Sequence, residues 1–169
     1  MRTLSALAAL PGLLLTASLV LAQPPGGARR GPPPEPSLMT YDLAAAAMAA
    51  AEAHARENGW AMTIRITDQN DNVVMVHRLD NANPFTAAVA ERKTLTVIRS
   101  GGMTSAEYGR KVQAGEIEEI ENAVTFGGGV PVYRDGRLIG AIATSGARPE
   151  EDEAVATAGA NAIGSISPN

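Results

Sequence analysis

The sequence predicts an α+β fold in which one antiparallel sheet is flanked by helices. Three observations predict it: an Ala-rich segment with helix caps at both ends, two apolar runs with the alternation of strands, and an Asp-Gly pair between two further apolar runs. The order helix, two strands, helices, two strands, helix favours hairpin pairing over crossover connections. With 169 residues, of which 45% are hydrophobic, the chain can bury one core of ordinary size.

The N-terminus has the pattern of a cleavable secretory signal. An apolar run follows Arg2 and ends in the small-residue motif Val20-Leu21-Ala22. An uncleaved membrane anchor is the alternative, but Pro11-Gly12 interrupts the run and weakens a continuous spanning helix. We therefore expect residues 1–22 to be removed, leaving a secreted or periplasmic chain that begins at Gln23 and has no stable membrane anchor.

The rest of the chain divides into a tether and a domain, and its composition excludes several classes of function. Residues 23–38 are rich in Pro and Gly and predict a flexible tether before a folded domain over residues 39–169. The net charge of −4 argues against a nucleic-acid partner. Since the chain has no cysteine, it lacks disulfides and thiolate ligands or nucleophiles.

The first half of the domain predicts a helix, a hairpin and two more helices. The segment TYDLAAAAMAAAEAHARENG predicts a helix capped by Thr40 and ended by Asn58-Gly59. Its predicted packing stripe places His54 with three apolar residues, Leu43, Ala47 and Ala50.

The predicted hairpin joins WAMTIRITD to VVMVHRL through the turn QNDN. Met62, Ile64 and Ile66 alternate with polar residues, which predicts a first strand with one face in water: Thr63, Arg65 and Thr67. A helix over residues 84–99 and a short helix capped by Thr104 or Ser105 follow.

The second half of the domain predicts another hairpin and a last helix. Asp135-Gly136 between VPVY and RLIGAIATS is typical of a tight hairpin turn. Pro149 suits the first turn of the last helix, whose predicted packing stripe is Val155, Ala158, Ala162 and Ile163. Upstream, Gly127, Gly128 and Gly129 either satisfy backbone geometry or clear space for a ligand.

The segment FGGGVPVYRDGRLIGAIATSGARPEEDEAVATAGANAI closely resembles the C-terminal signature of the GlcG/HbpS haem-binding family. The resemblance extends over about residues 40–165. ITDQNDNVVMVHRLDNA is similar to the family's Asp-x-x-Gly-x turn followed by Arg-x-Asp-x-Ala, and Lys93 lies where a lysine is common. Two departures are Asp71, where the turn usually has Gly, and Ala143-Thr144 in place of Gly-Val. Asp71 should lower the stability of the turn only slightly, because Asp tolerates the left-handed conformation.

The resemblance implies a profilin-like fold, assembly into dimers or higher oligomers, and a haem cofactor, with one group of relatives associated with cobalamin metabolism. Haem iron takes an imidazole, thioether, thiolate or phenolate ligand. The histidine candidates are His54 and His77, beside six methionines and three tyrosines. The alternatives are a satisfied core histidine at the first position and a strand-end side chain at the second.

Two basic residues on the second helix are candidates for binding an anion. Arg92 and Lys93 are expected to pair with a haem propionate or with nearby acids, or to lie on a solvated helix face. The acidic residues of the segment 116–121 have no EF-hand spacing, so we expect a solvated run and no metal site.

The sequence carries no nucleophile elbow, Walker loop, zinc-protease motif or dinucleotide fingerprint, so motifs assign no catalytic residue. We therefore expect a small-molecule-binding protein with haem or a related tetrapyrrole as its ligand. Two alternatives stay open: an enzyme or accessory factor that binds a small anionic metabolite at the glycine loop, and a purely structural oligomeric module.

Overall fold

The computed structural model describes residues 36–168, so the expected signal over 1–22 and most of the expected tether lie outside the described residues. None of the helices in this range is long and apolar enough to cross a membrane. The elements in chain order are α1 (Tyr41–Glu57), β1 (Thr63–Asp68), β2 (Val73–Arg78), α2 (Thr86–Arg99), α3 (Ser105–Gln113), β3 (Gly129–Arg134), β4 (Arg137–Ser145) and α4 (Pro149–Asn161). They confirm the α+β class.

The four strands form one antiparallel sheet in the order β2-β1-β4-β3. The turn between β3 and β4 has positive φ at both central residues, 52° at Asp135 and 72° at Gly136, which confirms the hairpin and matches a type I′ turn. Asp71 in the first hairpin turn also adopts the left-handed conformation, at φ 61°. The sheet is therefore built from two hairpins whose inner strands, β1 and β4, pair with each other.

Helices cover both faces of β1, so the prediction of a face in water was wrong. Ile64 and Ile66 pack into the core shared with α1 and α4. The alternate residues turn to α2: the hydroxyls of Thr63 and Thr86 share a 2.7 Å hydrogen bond, and Arg65 Nε donates to Thr94 Oγ1 at 3.2 Å. Thr63 and Arg65 are therefore polar because they form hydrogen bonds with α2, and not because they face solvent.

The caps of α1 are as predicted, but its packing stripe lies one position away. Thr40 Oγ1 accepts from the backbone N–H of Leu43, and Asn58 is the C-cap. The buried residues are Ala44, Ala47, Met48, Ala51 and Ala55. His54 is only partly buried, on the flank of this stripe.

The predicted packing stripe of α4 was also only partly right. Its buried residues are Asp152, Val155, Ala156, Gly159 and Ala160. Ala162 lies beyond the helix as its C-cap and is exposed. A Cβ at Gly159 would lie 3.0 Å from the carbonyl oxygen of Ala47, so small residues bring α1 and α4 close together.

Candidate functional site

A buried ion pair joins α2 to the start of α4. Lys93 Nζ donates to Asp152 Oδ2 at 2.7 Å and to the backbone carbonyl of Thr144 at 2.7 Å. The two side chains are 1% and 4% exposed. The ring of Phe126 lies 5.3 Å from the ammonium, close enough for a cation–π contact. The pair therefore ties a helix, the end of β4 and the loop before β3 together.

Burial dominates the electrostatics of this pair. It lowers the pKa of the Lys93 ammonium, while the charge and hydrogen bond of Asp152 act in the opposite direction. Burial likewise raises the pKa of the Asp152 carboxyl against the attraction of Lys93. Each group thus offsets part of the shift that burial causes in the other, and removing either one would leave its partner buried without compensation.

The two basic candidates on α2 have separate partners. The interpretation of Lys93 as part of a solvated face was wrong, since the residue is fully buried and pairs with a nearby acid. Arg92 is exposed, and its guanidinium donates to the carbonyls of Asn122 and Ala123 at 3.0 Å. Both side chains therefore fasten the segment that leads into the glycine loop.

The glycine loop is shaped by its approach to the ion pair. Gly128 has φ 111°, and a Cβ there would lie 2.7 Å from Asp152 Cβ and 2.9 Å from the carbonyl oxygen of Thr144. A Cβ at Gly129 would lie 2.9 Å from the carbonyl oxygen of Lys93, and the Gly129 N–H donates to Ser105 Oγ at 2.9 Å. Close packing accounts for both glycines without a ligand.

Gly127 borders an open cleft of about 650 Å³ between α3 and α4. Small and apolar side chains line much of it, with one basic and two acidic residues: Ala106, Arg110, Pro149, Glu150, Glu153, Ala154, Thr157, Ala158 and Asn161. Because Glu153 Oε2 would lie 2.8 Å from a Cβ at Gly127, the loop faces a carboxylate. This charge disfavours the anionic metabolite considered for the loop.

His77 and Glu52 form a second polar centre, at the edge of the sheet. His77 on β2 uses Nδ1 to hydrogen bond Glu52 Oε1 on α1, while Glu52 Oε2 accepts from Arg56 at 3.3 Å. The hydrogen bond from His77 is the main cause that lowers the pKa of Glu52. The His77 side chain is 49% exposed and lies in a shallow cavity of about 380 Å³, which Arg56 and Arg78 also line.

His54 lies elsewhere on α1 and has a different environment. Its ring centroid is 6.0 Å from that of Trp60, and its backbone carbonyl accepts a hydrogen bond from Asn58. The structure thus separates the sequence candidates: Lys93 joins the glycine loop, His77 joins Glu52, and His54 packs beside an aromatic ring.

Sequence reasoning missed the partners of both charged centres. Asp152 lies in the first turn of α4, and its spacing to Val155, Ala156 and Gly159 places it on the buried stripe. That spacing was a usable signal. Glu52 and His77 are 25 residues apart, on a helix and a strand, and nothing local in the sequence links them.

The acidic segment 116–121 carries four glutamates, which are exposed: Glu116, Glu118, Glu119 and Glu121. Within residues 36–168, no three His, Asp or Glu side chains are grouped so that they could hold a metal ion.

Comparisons with known proteins show the family and the fold of this chain. A family model described as "Haem degrading protein HbpS-like" matches residues 39–161. Protein GlcG of Escherichia coli strain K12 is 29% identical over 118 residues, which is 64% of this chain and 81% of that protein. A double mutant of Streptomyces reticuli HbpS has a TM-score of 0.70 at 29% identity, covering 85% of this chain and 99% of that chain. A PduOC:haem complex also has a TM-score of 0.70, but at 24% identity, over 76% and 97% of the two chains, it shows a shared fold alone. The chain belongs to the HbpS-like family.

Proposed function

We propose that this protein binds a small molecule, haem or a related tetrapyrrole. Two comparisons support the proposal: the family model carries haem in its description, and PduOC, which has the same fold, was crystallised with haem. The observation that carries it within this chain is the exposed imidazole of His77, held by the carboxylate of Glu52, which also binds Arg56.

The residues at the edge of β2 fit the needs of haem. The iron needs an axial donor and the propionates need cations or hydrogen-bond donors. His77 offers the donor, while Arg56 offers a cation at the same cavity. The residues lining the cleft beside Gly127 include no His, Met or Tyr, so that cleft fits iron less well. When bound, haem would supply a redox-active iron, and the chain's part is to hold and orient it.

An absorbance titration of the purified protein with haemin tests the proposal. We expect saturable binding with a shifted Soret band at micromolar protein. A spectrum that remains the sum of free haemin and protein at every ratio would refute haem binding and favour a purely structural module.

We also propose that the protein is exported to the periplasm or secreted, on the pattern of its first 22 residues. Mass spectrometry of the mature protein from its host should find an N-terminus at or near Gln23. Mature protein that retains Met1 would contradict export by this signal.

We further propose that the protein is a homo-oligomer that associates through β2. This edge strand exposes Val73 and Val76, at 52% and 41%, whereas the opposite edge is protected where Tyr133 on β3 bridges to Ser165. Exposed apolar edges favour pairing with another strand. Sedimentation velocity should give a mass above one chain for the wild type and a smaller mass for Val76→Lys. A single-chain mass for the wild type at micromolar concentration would contradict association.

A further inference from the structure

We infer that the axial ligand of the haem iron is His77, bound through Nε2, and that Glu52 is the residue that positions it. This inference rests on the proposed haem binding. It adds which of the two histidines binds the iron, through which nitrogen, and which residue orients the ring.

The hydrogen bond to Glu52 determines which nitrogen is free. A carboxylate only accepts, so His77 must present Nδ1 as an N–H donor to Glu52 Oε1. In the neutral ring the lone pair is then on Nε2, the nitrogen that a metal binds. A carboxylate bound to the other ring nitrogen orients a ligating histidine and raises its basicity.

Glu52 is itself held in place. Its second oxygen, Oε2, accepts from Arg56, and the carboxylate is only 22% exposed although its two partners are 49% and 64% exposed. Because the carboxylate sits on α1, whose buried face is packed, its position is set by the fold. The imidazole is therefore oriented before any ligand arrives.

The surroundings of His77 suit the two kinds of surface that haem presents. Leu79 offers apolar contact at the same cavity. Arg56 donates one N–H to Glu52 Oε2 at 3.3 Å, and the remaining donors of its guanidinium are available to a propionate. Asp80 also lines this cavity, so we expect the propionates to lie on the arginine side.

His54 is the weaker candidate on the same grounds. Its ring packs 6.0 Å from the Trp60 ring, and it is partly buried. Iron at His54 would compete with that packing, whereas iron at His77 would leave the bond to Glu52 in place.

The two histidines provide matched variants for a haemin titration. We expect His77→Ala to weaken haemin binding by roughly tenfold or more and to move the Soret band. His54→Ala should keep the wild-type affinity and spectrum. If His77→Ala binds with an unaltered spectrum, the inference is overturned even though the proposed function stands, and if the wild type shows no shift, the proposed function itself fails.

Two measurements test the positioning role of Glu52 and would not respond to a change in packing alone: the reduction potential of the bound iron and the protonated nitrogen of the His77 ring. In Glu52→Gln the ring keeps an acceptor but loses the negative charge, so the bound iron should have a higher reduction potential than in the wild type. In the haem-free wild type, nitrogen NMR should show His77 protonated at Nδ1. An unchanged potential in Glu52→Gln, or a proton on Nε2 of the neutral wild-type ring, would overturn the role of Glu52.

Discussion

The residue that organises the glycine loop is a lysine with its charge buried. Lys93 satisfies its ammonium with a carboxylate and a backbone carbonyl and faces an aromatic ring. The arrangement explains the glycine at position 128, because any side chain there would meet the ammonium itself.

Replacing one member of the ion pair should lower the free energy of unfolding much more than replacing both members. Asp152→Asn leaves a buried ammonium opposite an amide, so we expect the free energy of unfolding to fall by about 3–5 kcal/mol. Adding Lys93→Met to this variant should recover much of the loss. Urea unfolding of the two single variants and the double variant measures the coupling, and losses that simply add would contradict a direct ion pair.

The loss in Asp152→Asn should shrink as the pH rises. Burial lowers the pKa of Lys93 below its ordinary value near 10.5 in the folded state. Asp152→Asn removes the carboxylate charge that opposes this shift, so the folded-state pKa of Lys93 should fall further in the variant. At a pH between the folded-state and the unfolded-state pKa of Lys93, the unfolded chain binds the proton and the folded chain does not, so raising the pH favours folding, and more so in the variant. Urea unfolding from about pH 7 to about pH 10 should show the variant gaining stability relative to the wild type. A deficit that stays constant over this range would contradict the burial of a charged Lys93.

Alanine variants of two glycines distinguish the cost of a positive φ from the cost of steric crowding. Gly101 has φ 76° with nothing within 4 Å of a Cβ, whereas Gly128 has φ 111° and three neighbouring atoms within 3 Å. Gly101→Ala should therefore cost about 1–2 kcal/mol from backbone conformation alone. Gly128→Ala should cost clearly more, measured as the drop in melting temperature. Equal drops in melting temperature for the two variants would show that the glycine loop is not closely packed against the ion pair.

At the scale of elements, the helix caps and the tight turn were predictable from the sequence. Which face of each helix or strand is buried was not. Thr40, Thr104 and Asp135-Gly136 cap or turn the chain as expected, because each acts on backbone groups a few residues away. The buried stripes of α1 and α4 were misplaced because Ala is nearly as common on their outer faces as on their inner ones. Likewise Thr63 and Thr67 are fully buried, since helices cover both faces of β1.

The hairpin between β3 and β4 depends on one glycine. Gly136 has φ 72° at the second central position of the turn. Gly136→Asn should be tolerated, because Asn adopts positive φ readily, whereas Gly136→Val should cost about 1–3 kcal/mol. The melting temperatures of the two variants test this, and an unchanged value for Gly136→Val would mean that the turn does not need positive φ.

At the scale of the whole molecule, the sheet keeps the two polar centres apart. Lys93 and Asp152 join α2 and α4 where β4 ends, while Glu52 and His77 join α1 to the edge strand β2. The family could be recognised from the C-terminal motif, and the structure explains that motif by packing of the glycine loop. The His77 centre, in contrast, needed the fold to bring a helix and a strand together.

The proposed binding of haem at His77 is tested most directly by the structure of the complex with haemin. We expect the iron bonded to Nε2 of His77, with Glu52 still bound to Nδ1 and a propionate near Arg56. Haem bound at His54 or in the cleft beside Gly127, with the ring of His77 free, would contradict the account.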